Sequence, residues 1–595
     1  MSMKKNTSAI HYTVDASQTH SHLFKVSLHI AKPAAGQTVS LPVWIPGSYL
    51  VREFAKNLQN LKAIQGGKSV EVFQGNKSQW RVDCKVGQAL QLTYEVYAFD
   101  NSVRSAWLDS QRGFFNGTSL CLRVHGQDEM PHSLTISPLK ASTWSVATGL
   151  QAIKVNKQGF GDYQAAHYDE LVDCPFELGH LWRGEFTACG IPHEFVVAGA
   201  MASFDGAKLI EDTQKICETE MKFWHEKKPT ANAPYKRYVF MLNAVEDGYG
   251  GLEHRNSTAL ICNRRDLPAI GMKKMSEGYV TLLGLISHEY FHTWNVKQLR
   301  PAEFTRYDYT QENYTELLWF FEGFTSYYDD LLLRRAKLID DTTYFKLLNK
   351  TINMVLQAPG RLVQSVAQAS FDAWVKYYRQ DENTPNATIS YYTKGALVAL
   401  CLDLSMRAEG TSNLDNIMRG LWQRCKGGPL TEAHLLAELE AQTGRSWKKE
   451  IKSWVHSTQE LPLKTLLSSH GIVVHEDAPQ MAQRLGLRVA EAQGVVQIKA
   501  VLRGGAAEKA GMAAGDEWWA VSSTKAKAQS WRLKKIEDLT LLLGSEKKAK
   551  ATIARDQKVF DLDLTIPSDV HTWRLSQAQS DTLHNTRTSQ WLNGN

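Results

Sequence analysis

Apolar and polar positions alternate through the first third of the chain. Phe24, Val26, Leu28 and Ile30 are interleaved with Lys25, Ser27 and His29, and Leu92, Tyr94, Val96 and Ala98 repeat the period. A period of two places alternate side chains on one face of a half-buried strand. Turn residues interrupt the pattern at Ala35-Gly36, Pro46-Gly47-Ser48 and Gly66-Gly67. Residues 1–185 are therefore expected to form a β-sandwich-like domain. Two stretches within it mix aromatic, turn and charged residues, 44–53 and Asp100-Asn101-Ser102-Val103-Arg104. An ordinary turn and a strand end are the favoured readings, ahead of loops that reach a cleft.

Beyond 186 the pattern is mixed. Residues 212–225 read as a helix, and 238–242 and 257–262 as buried strands. Ser276-Glu277 is an N-cap with an acidic first turn, and the apolar run 279–286 behind it predicts a helix that carries residues 287–294. A second strongly apolar helix covers 317–328, and a third opens at Tyr391. Residues 401–460 read as helical, with a start at Thr431-Glu432 and a stop at Gly444, and 461–470 as a connector. Residues 471–567 read as a small separate α+β unit: strands at 495–498 and 551–554, a short helix between glycines 505 and 511, another at 536–543. The polar tail, 568–595, offers Trp573 and Trp591 as docking points, with order and disorder both open.

Composition narrows the class. A chain of 595 residues holds three to five units, and its apolar and charged fractions are those of a globular protein. A formal charge of +6 at this length gives no argument for nucleic acid or an anionic membrane surface as partner. The eight cysteines are scattered without a C-x-x-C pair, which suggests reduced thiols rather than a disulfide framework or a cysteine metal site. No apolar run approaches the roughly 18 residues of a membrane span. Residues 1–8 are followed by no apolar signal core, so the cytoplasm is the expected location, and a periplasmic form would need a leader missing from this sequence.

The chemistry centres on His288-Glu289-Tyr290-Phe291-His292. On a helix His288 and His292 share a face one turn apart and can hold one metal ion, with Glu289 placed to act as a base on water. A zinc ion held by two histidines takes a third protein ligand and keeps a fourth position open. Glu322 lies thirty positions after His292, alone in the apolar run Trp319-Phe320-Phe321-Glu322-Gly323-Phe324. A lone carboxylate there is costly to bury unless paired or metal-bound, and it supplies that ligand. Gly250-Gly251-Leu252-Glu253 precedes a predicted strand. Glycines 250 and 251 would let a peptide backbone approach a sheet edge, and Glu253 is the candidate partner of a substrate ammonium, against a turn with a solvated Glu. Tyr391 and Tyr392 are candidate oxyanion donors, although adjacent tyrosines more often pack.

Together these runs resemble the glycyl aminopeptidase family of gluzincin metallopeptidases. The resemblance rests on His288–Lys297, Trp319–Tyr328 and Gly250–His254. It implies a multidomain α+β chain: the N-terminal β domain, a thermolysin-like zinc catalytic domain over 186–400, its helical part over 401–465, and a C-terminal PDZ domain over 471–567. The PDZ likeness lies in 505–511 with Gly515-Asp516, although Trp518-Trp519 is unusual there. Related zinc aminopeptidases hold the α-amino group with a G-x-M-E-N run. Here the run is Gly250-Gly251-Leu252-Glu253-His254, with Leu for Met and His for Asn. They use the Tyr of Y-x-K-G on the oxyanion, which selects Tyr392 from Tyr392-Thr393-Lys394-Gly395. The resemblance implies one Zn²⁺, substrates that are peptides with a free N-terminus, and Gly or Ala as first residue. A PDZ domain would take a C-terminal carboxylate or an extended segment, with Leu485-Gly486-Leu487 as carboxylate loop or as a plain strand start. The rivals are an endopeptidase on the same zinc core and a PDZ scaffold whose zinc site does no chemistry.

Overall fold

The alternation near the N-terminus is that of real strands. In the computed structural model, which describes residues 9–139, 143–525, 528–578 and 582–594, Phe24, Val26, Leu28 and Ile30 are buried while Lys25 and His29 face solvent. Strands Ile10–Gln18 (β1), Leu23–Ile30 (β2), Leu58–Gln65 (β3), Lys68–Val70 (β4), Leu90–Tyr97 (β5), His132–Ile136 (β6), Gln151–Val155 (β7) and Gly161–Ala165 (β8) form one sheet in the order β7-β8-β6-β1-β2-β5-β3-β4. Two four-stranded sheets complete this β-rich N-terminal domain, and the alternate apolar positions of β1, β2 and β5 fill one hydrophobic core. Residues 1–8, on which the expectation about a leader rests, lie outside the described residues.

The chain divides into two compact units, Met1–Tyr314 with Cys425–Leu430 and Thr315–Arg424 with Thr431–Asn595. The first also contains a five-stranded sheet of Trp182–Ala188 (β9), Ile191–Ala198 (β10), Tyr238–Val245 (β11), Gly250–Glu253 (β12) and Ser257–Asn263 (β13), ordered β9-β10-β11-β13-β12. The glycine-rich strand β12 is thus an edge strand. Beside the sheet run helices Gly206–Trp224 (α1) and Glu277–Phe291 (α2). Helix α1 begins six residues before the expected 212, because the Asp205 carboxylate caps Lys208 N–H at 3.0 Å.

The second unit is helical up to Ser469. Leu318–Arg335 (α3) and Tyr391–Glu409 (α4) pack closely, with Gly323 on one facing Gly395 on the other. Residues 461–470 are not a plain connector: Leu463–Ser469 is helical, with Leu463 and Leu467 buried. The tail is ordered over the described residues. Thr572–Gln577 pairs with Ile472–Asp477, and Trp591 of helix Thr582–Asn593 is buried, its Nε1–H donating to the Tyr327 hydroxyl at 2.8 Å. Between them Leu487–Ala492 (β14), Val495–Val501 (β15), Glu517–Ser523 (β16), Lys548–Arg555 (β17) and Lys558–Thr565 (β18) form a sheet in that order, and Ser530–Arg532 pairs with β16. Among the described residues no helix is long and apolar enough to cross a membrane. The whole is a multidomain α+β protein.

A Cβ built at Gly395 would lie 2.5 Å from the Trp319 carbonyl oxygen, which is backbone and cannot swing away. Gly395→Val is expected to cost about 1–3 kcal/mol by forcing α3 and α4 apart. Denaturant unfolding should show a lower midpoint. An unchanged midpoint would contradict the close packing.

Candidate active site

Helix α2 is buried on nearly every side, so its rotation is set by polar contacts beneath it. The Ser276 hydroxyl accepts Tyr279 N–H at 3.0 Å and starts the helix. Ser287 Oγ donates to Glu220 of α1 at 2.9 Å, and the Tyr279 hydroxyl donates to Asp212 at 2.9 Å. The Tyr290 hydroxyl lies 2.9 Å from His193 Nε2, whose Nδ1–H donates to the Ile191 carbonyl. Burial lowers the pKa of His193 to about 4, so the ring is neutral and accepts from Tyr290. Beyond the helix, Trp294 Nε1–H donates to His225 Nε2 at 2.8 Å. These contacts fix which face of α2 carries the two histidines.

His288 and His292 turn their Nε2 atoms toward each other, 3.1 Å apart. The carbonyl of Asn295 accepts His292 Nδ1–H at 2.8 Å, which leaves the lone pair on Nε2. The ligand atoms of His288, His292 and Glu322 all lie within 4.8 Å of one another. His292 and Glu322 are buried, and Glu322 is flanked on α3 by buried Phe320, Phe321 and Phe324. Two imidazoles and one carboxylate with converging ligand atoms are the donor set of a catalytic zinc ion, and these residues fit one zinc. Asn295 thus orients His292 through its backbone carbonyl.

Glu289 is buried against β12. A Cβ added at Gly251 would sit 2.0 Å from the Glu289 Oε1 atom, so only glycine lets the edge strand lie on this carboxylate. Glu253, also buried, closes the other end of the strand. The stretch 44–53, favoured as an ordinary turn, reaches this point. Gly47, at φ +88°, is so close that a Cβ there would meet the Glu253 carboxylate at 2.5 Å. Likewise Arg104, at the end of the supposed strand terminus, donates from Nη2 to the Gly251 carbonyl at 2.9 Å. Both stretches were visible in the sequence as unusual mixtures. Their targets, some 150 to 200 positions away, were not.

Behind Glu253 lies a largely buried ionic cluster that sequence reasoning missed. Asp173 accepts from Lys297 Nζ at 2.8 Å, from Arg255 Nε at 2.9 Å and from His254 Nδ1 at 3.2 Å. Burial would raise its pKa, but Lys297 and Arg255, helped by His254, hold Asp173 well below the usual carboxylate range. Lys297 stays charged for the converse reason: burial opposes its charge, and Asp173, Tyr307 and Glu253 more than compensate. The His254 that stands where relatives carry Asn is thus part of the strand's foundation.

Tyr392 lies in the first turn of α4, stacked against Tyr377 and Tyr391 with ring centroids 5.5 and 4.8 Å away. Burial, reinforced by the nearby Glu322 carboxylate, raises its pKa well above that of free tyrosine, so the hydroxyl keeps its proton. Leu485 ends a helical turn, Gly486 follows at φ +73°, and Leu487 opens edge strand β14.

Residues 11–180 match the family of the peptidase M61 N-terminal domain, and residues 281–398 match the M61 glycyl aminopeptidase family. The solved structure of an aminopeptidase N family protein from Idiomarina loihiensis is 35% identical and covers 98% of this chain and 100% of its own, with a TM-score of 0.91. An M1 zinc metallopeptidase from Deinococcus radiodurans is a remoter likeness, 16% identical over 76% of this chain and 94% of its own, with a TM-score of 0.47. No curated protein matches. The three-ligand site, the M61 glycyl aminopeptidase match and the 35% identical aminopeptidase structure make the protein a zinc aminopeptidase. The chain belongs to the M61 glycyl aminopeptidase family.

Protein prepared with excess zinc and desalted should carry about one zinc per chain, because one such set of three ligands is present among the described residues. His292→Ala and Glu322→Gln should each lose most of it by elemental analysis. Full retention in either variant would remove that residue from the ligand set.

Proposed function

We propose that the enzyme removes a small N-terminal residue, glycine or alanine, from peptides bound as an added strand along β12. The observation that carries this reading is the spacing on β12, with Gly251 seated on Glu289 and Glu253 two residues further along the same edge. A peptide whose ammonium meets Glu253 has its first peptide bond beside Glu289. A mid-chain bond would leave the buried Glu253 carboxylate facing a neutral backbone, which disfavours endopeptidase action. The preference for a small first residue is supported by the glycyl aminopeptidase description of the family.

His288, His292 and Glu322 would hold the zinc. The ion, when bound, supplies a Lewis acid that polarises the substrate carbonyl and brings the pKa of water to about 7. Glu289 accepts the proton of the attacking water and returns it to the departing amine. Tyr392, kept protonated beside Glu322, donates to the carbonyl oxygen as negative charge grows there. Glu253 fixes the ammonium, and glycines 250 and 251 admit the substrate backbone.

In this reading the chain divides into the N-terminal domain, 1–185, the catalytic region, 186–465, a PDZ domain, 471–567, and the C-terminal segment, 568–595. The PDZ assignment is supported by edge strand β14 and by the left-handed Gly486 between Leu485 and Leu487. Gly486, Leu487, Val489 and Ile536 line a groove of about 1370 Å³ that Tyr392 also lines, wide enough for an extended peptide or a C-terminal carboxylate.

Glycine and alanine p-nitroanilides with free amines should be cleaved, and their N-acetyl forms should not. Glu289→Gln should abolish turnover while zinc is retained. Tyr392→Phe should lower kcat by about 10²–10³ with a small change in KM. Cleavage of the acetylated compounds at similar rates would replace this reading with an endopeptidase. No cleavage by zinc-loaded enzyme would favour a scaffold.

A further inference from the structure

Arg104 is the unusual charge of the site. It is half-buried, and the one hydrogen bond of its side chain among the described residues goes to a backbone carbonyl, that of Gly251. Its Nε is buried without a hydrogen-bond partner among the described residues. Two other arginines of the same unit hold carboxylates: Arg112 grips Glu177 through two nitrogens, and Arg255 spans Asp169 and Asp173. A guanidinium has five N–H donors in a fork that suits a carboxylate, and sheltering it with one neutral partner is costly. Position completes the picture. Along β12, Glu253 marks one end, Gly251 lies on Glu289, and Arg104 stands at the other end, with Nη1 3.5 Å from where a Cβ of Gly250 would be.

Strands rise about 3.3 Å per residue, so the ends of β12 stand about 10 Å apart, a gap that a dipeptide and the two charged side chains reaching toward it can span together. On the reading that Glu253 takes the ammonium, the scissile bond falls beside Glu289, and the departing residue falls at the Gly250 end. In a dipeptide that residue carries the free carboxylate. In longer or amidated peptides the same place holds a neutral carbonyl. We propose that Arg104 binds the C-terminal carboxylate of the departing residue and makes the enzyme selective for dipeptides. The residue acts on specificity: it rewards a negative charge one residue beyond the bond that breaks, and it holds β12 in place through Gly251.

The test is binding rather than turnover. Zinc-loaded Glu289→Gln enzyme is titrated calorimetrically with Ala-Ala, Ala-Ala amide and N-acetyl-Ala-Ala, and the titrations are repeated with Arg104→Gln and Arg104→Lys added. Ala-Ala should bind about tenfold or more tightly than its amide, the usual scale of a charge-assisted hydrogen bond. Arg104→Gln should bring the two within about twofold, and Arg104→Lys should keep part of the preference. Equal binding of acid and amide with Arg104 present would overturn the proposal. So would an equal loss for both ligands in Arg104→Gln, which would assign Arg104 to supporting β12 alone. The acetylated dipeptide separates the two claims. If it binds as tightly as Ala-Ala while acid and amide still differ, the Glu253 reading fails and the Arg104 reading stands. Melting temperatures of the variants, within a few degrees of one another, establish that they fold.

Discussion

The site depends on a missing side chain. Gly251 lies so close to the Glu289 carboxylate that any Cβ would collide with it. A sheet edge can therefore be brought against a catalytic helix with no side chain between them. The consequence is geometric. An added strand on β12 is held by backbone hydrogen bonds, which fix its register without regard to sequence. On the proposed reading, what the enzyme reads would then come from the ends of the strand, where Glu253 and Arg104 stand. The N-terminal domain reaches both ends: Gly47 lies against the Glu253 carboxylate, and Arg104 donates to the Gly251 carbonyl.

Holding that arrangement requires buried charge, and the protein satisfies it locally. Asp173 gathers Lys297, Arg255 and His254 behind β12, while Glu220 and Asp212 of α1 receive hydroxyl hydrogen bonds from α2. Removing one member of such a cluster leaves the others desolvated and unpaired, which is why the strand and the helix keep their positions. In the second unit the constraint is steric. Gly323 and Gly395 let α3 and α4 approach closely, and these helices carry Glu322 and Tyr392.

Local chemistry was legible in the sequence. The His288–His292 spacing, the Ser276 cap and the isolated carboxylate of Glu322 each follow from short-range rules, and the structure brings the three ligands together as those rules require. The alternation of β1, β2 and β5 was equally plain. What could not be read was long-range pairing. Nothing near Arg104 or Gly47 names β12 as their target, and a turn that serves a distant strand has the same residue types as one that serves itself. The helix at Leu463–Ser469 was missed because its apolar face is short, two leucines four apart, and its burial comes from tertiary packing.

The central claim is that peptides lie along β12 with the ammonium at Glu253 and the first peptide bond at Glu289. It is tested most directly by a crystal structure of the zinc-loaded Glu289→Gln enzyme with Ala-Ala, recorded at the zinc absorption edge. One anomalous peak should lie within about 2.0–2.2 Å of the ligand atoms of His288, His292 and Glu322. The peptide should pair with β12, its amine on Glu253. A zinc peak elsewhere, or a peptide lying in the opposite direction with its amine toward Arg104, would contradict the account.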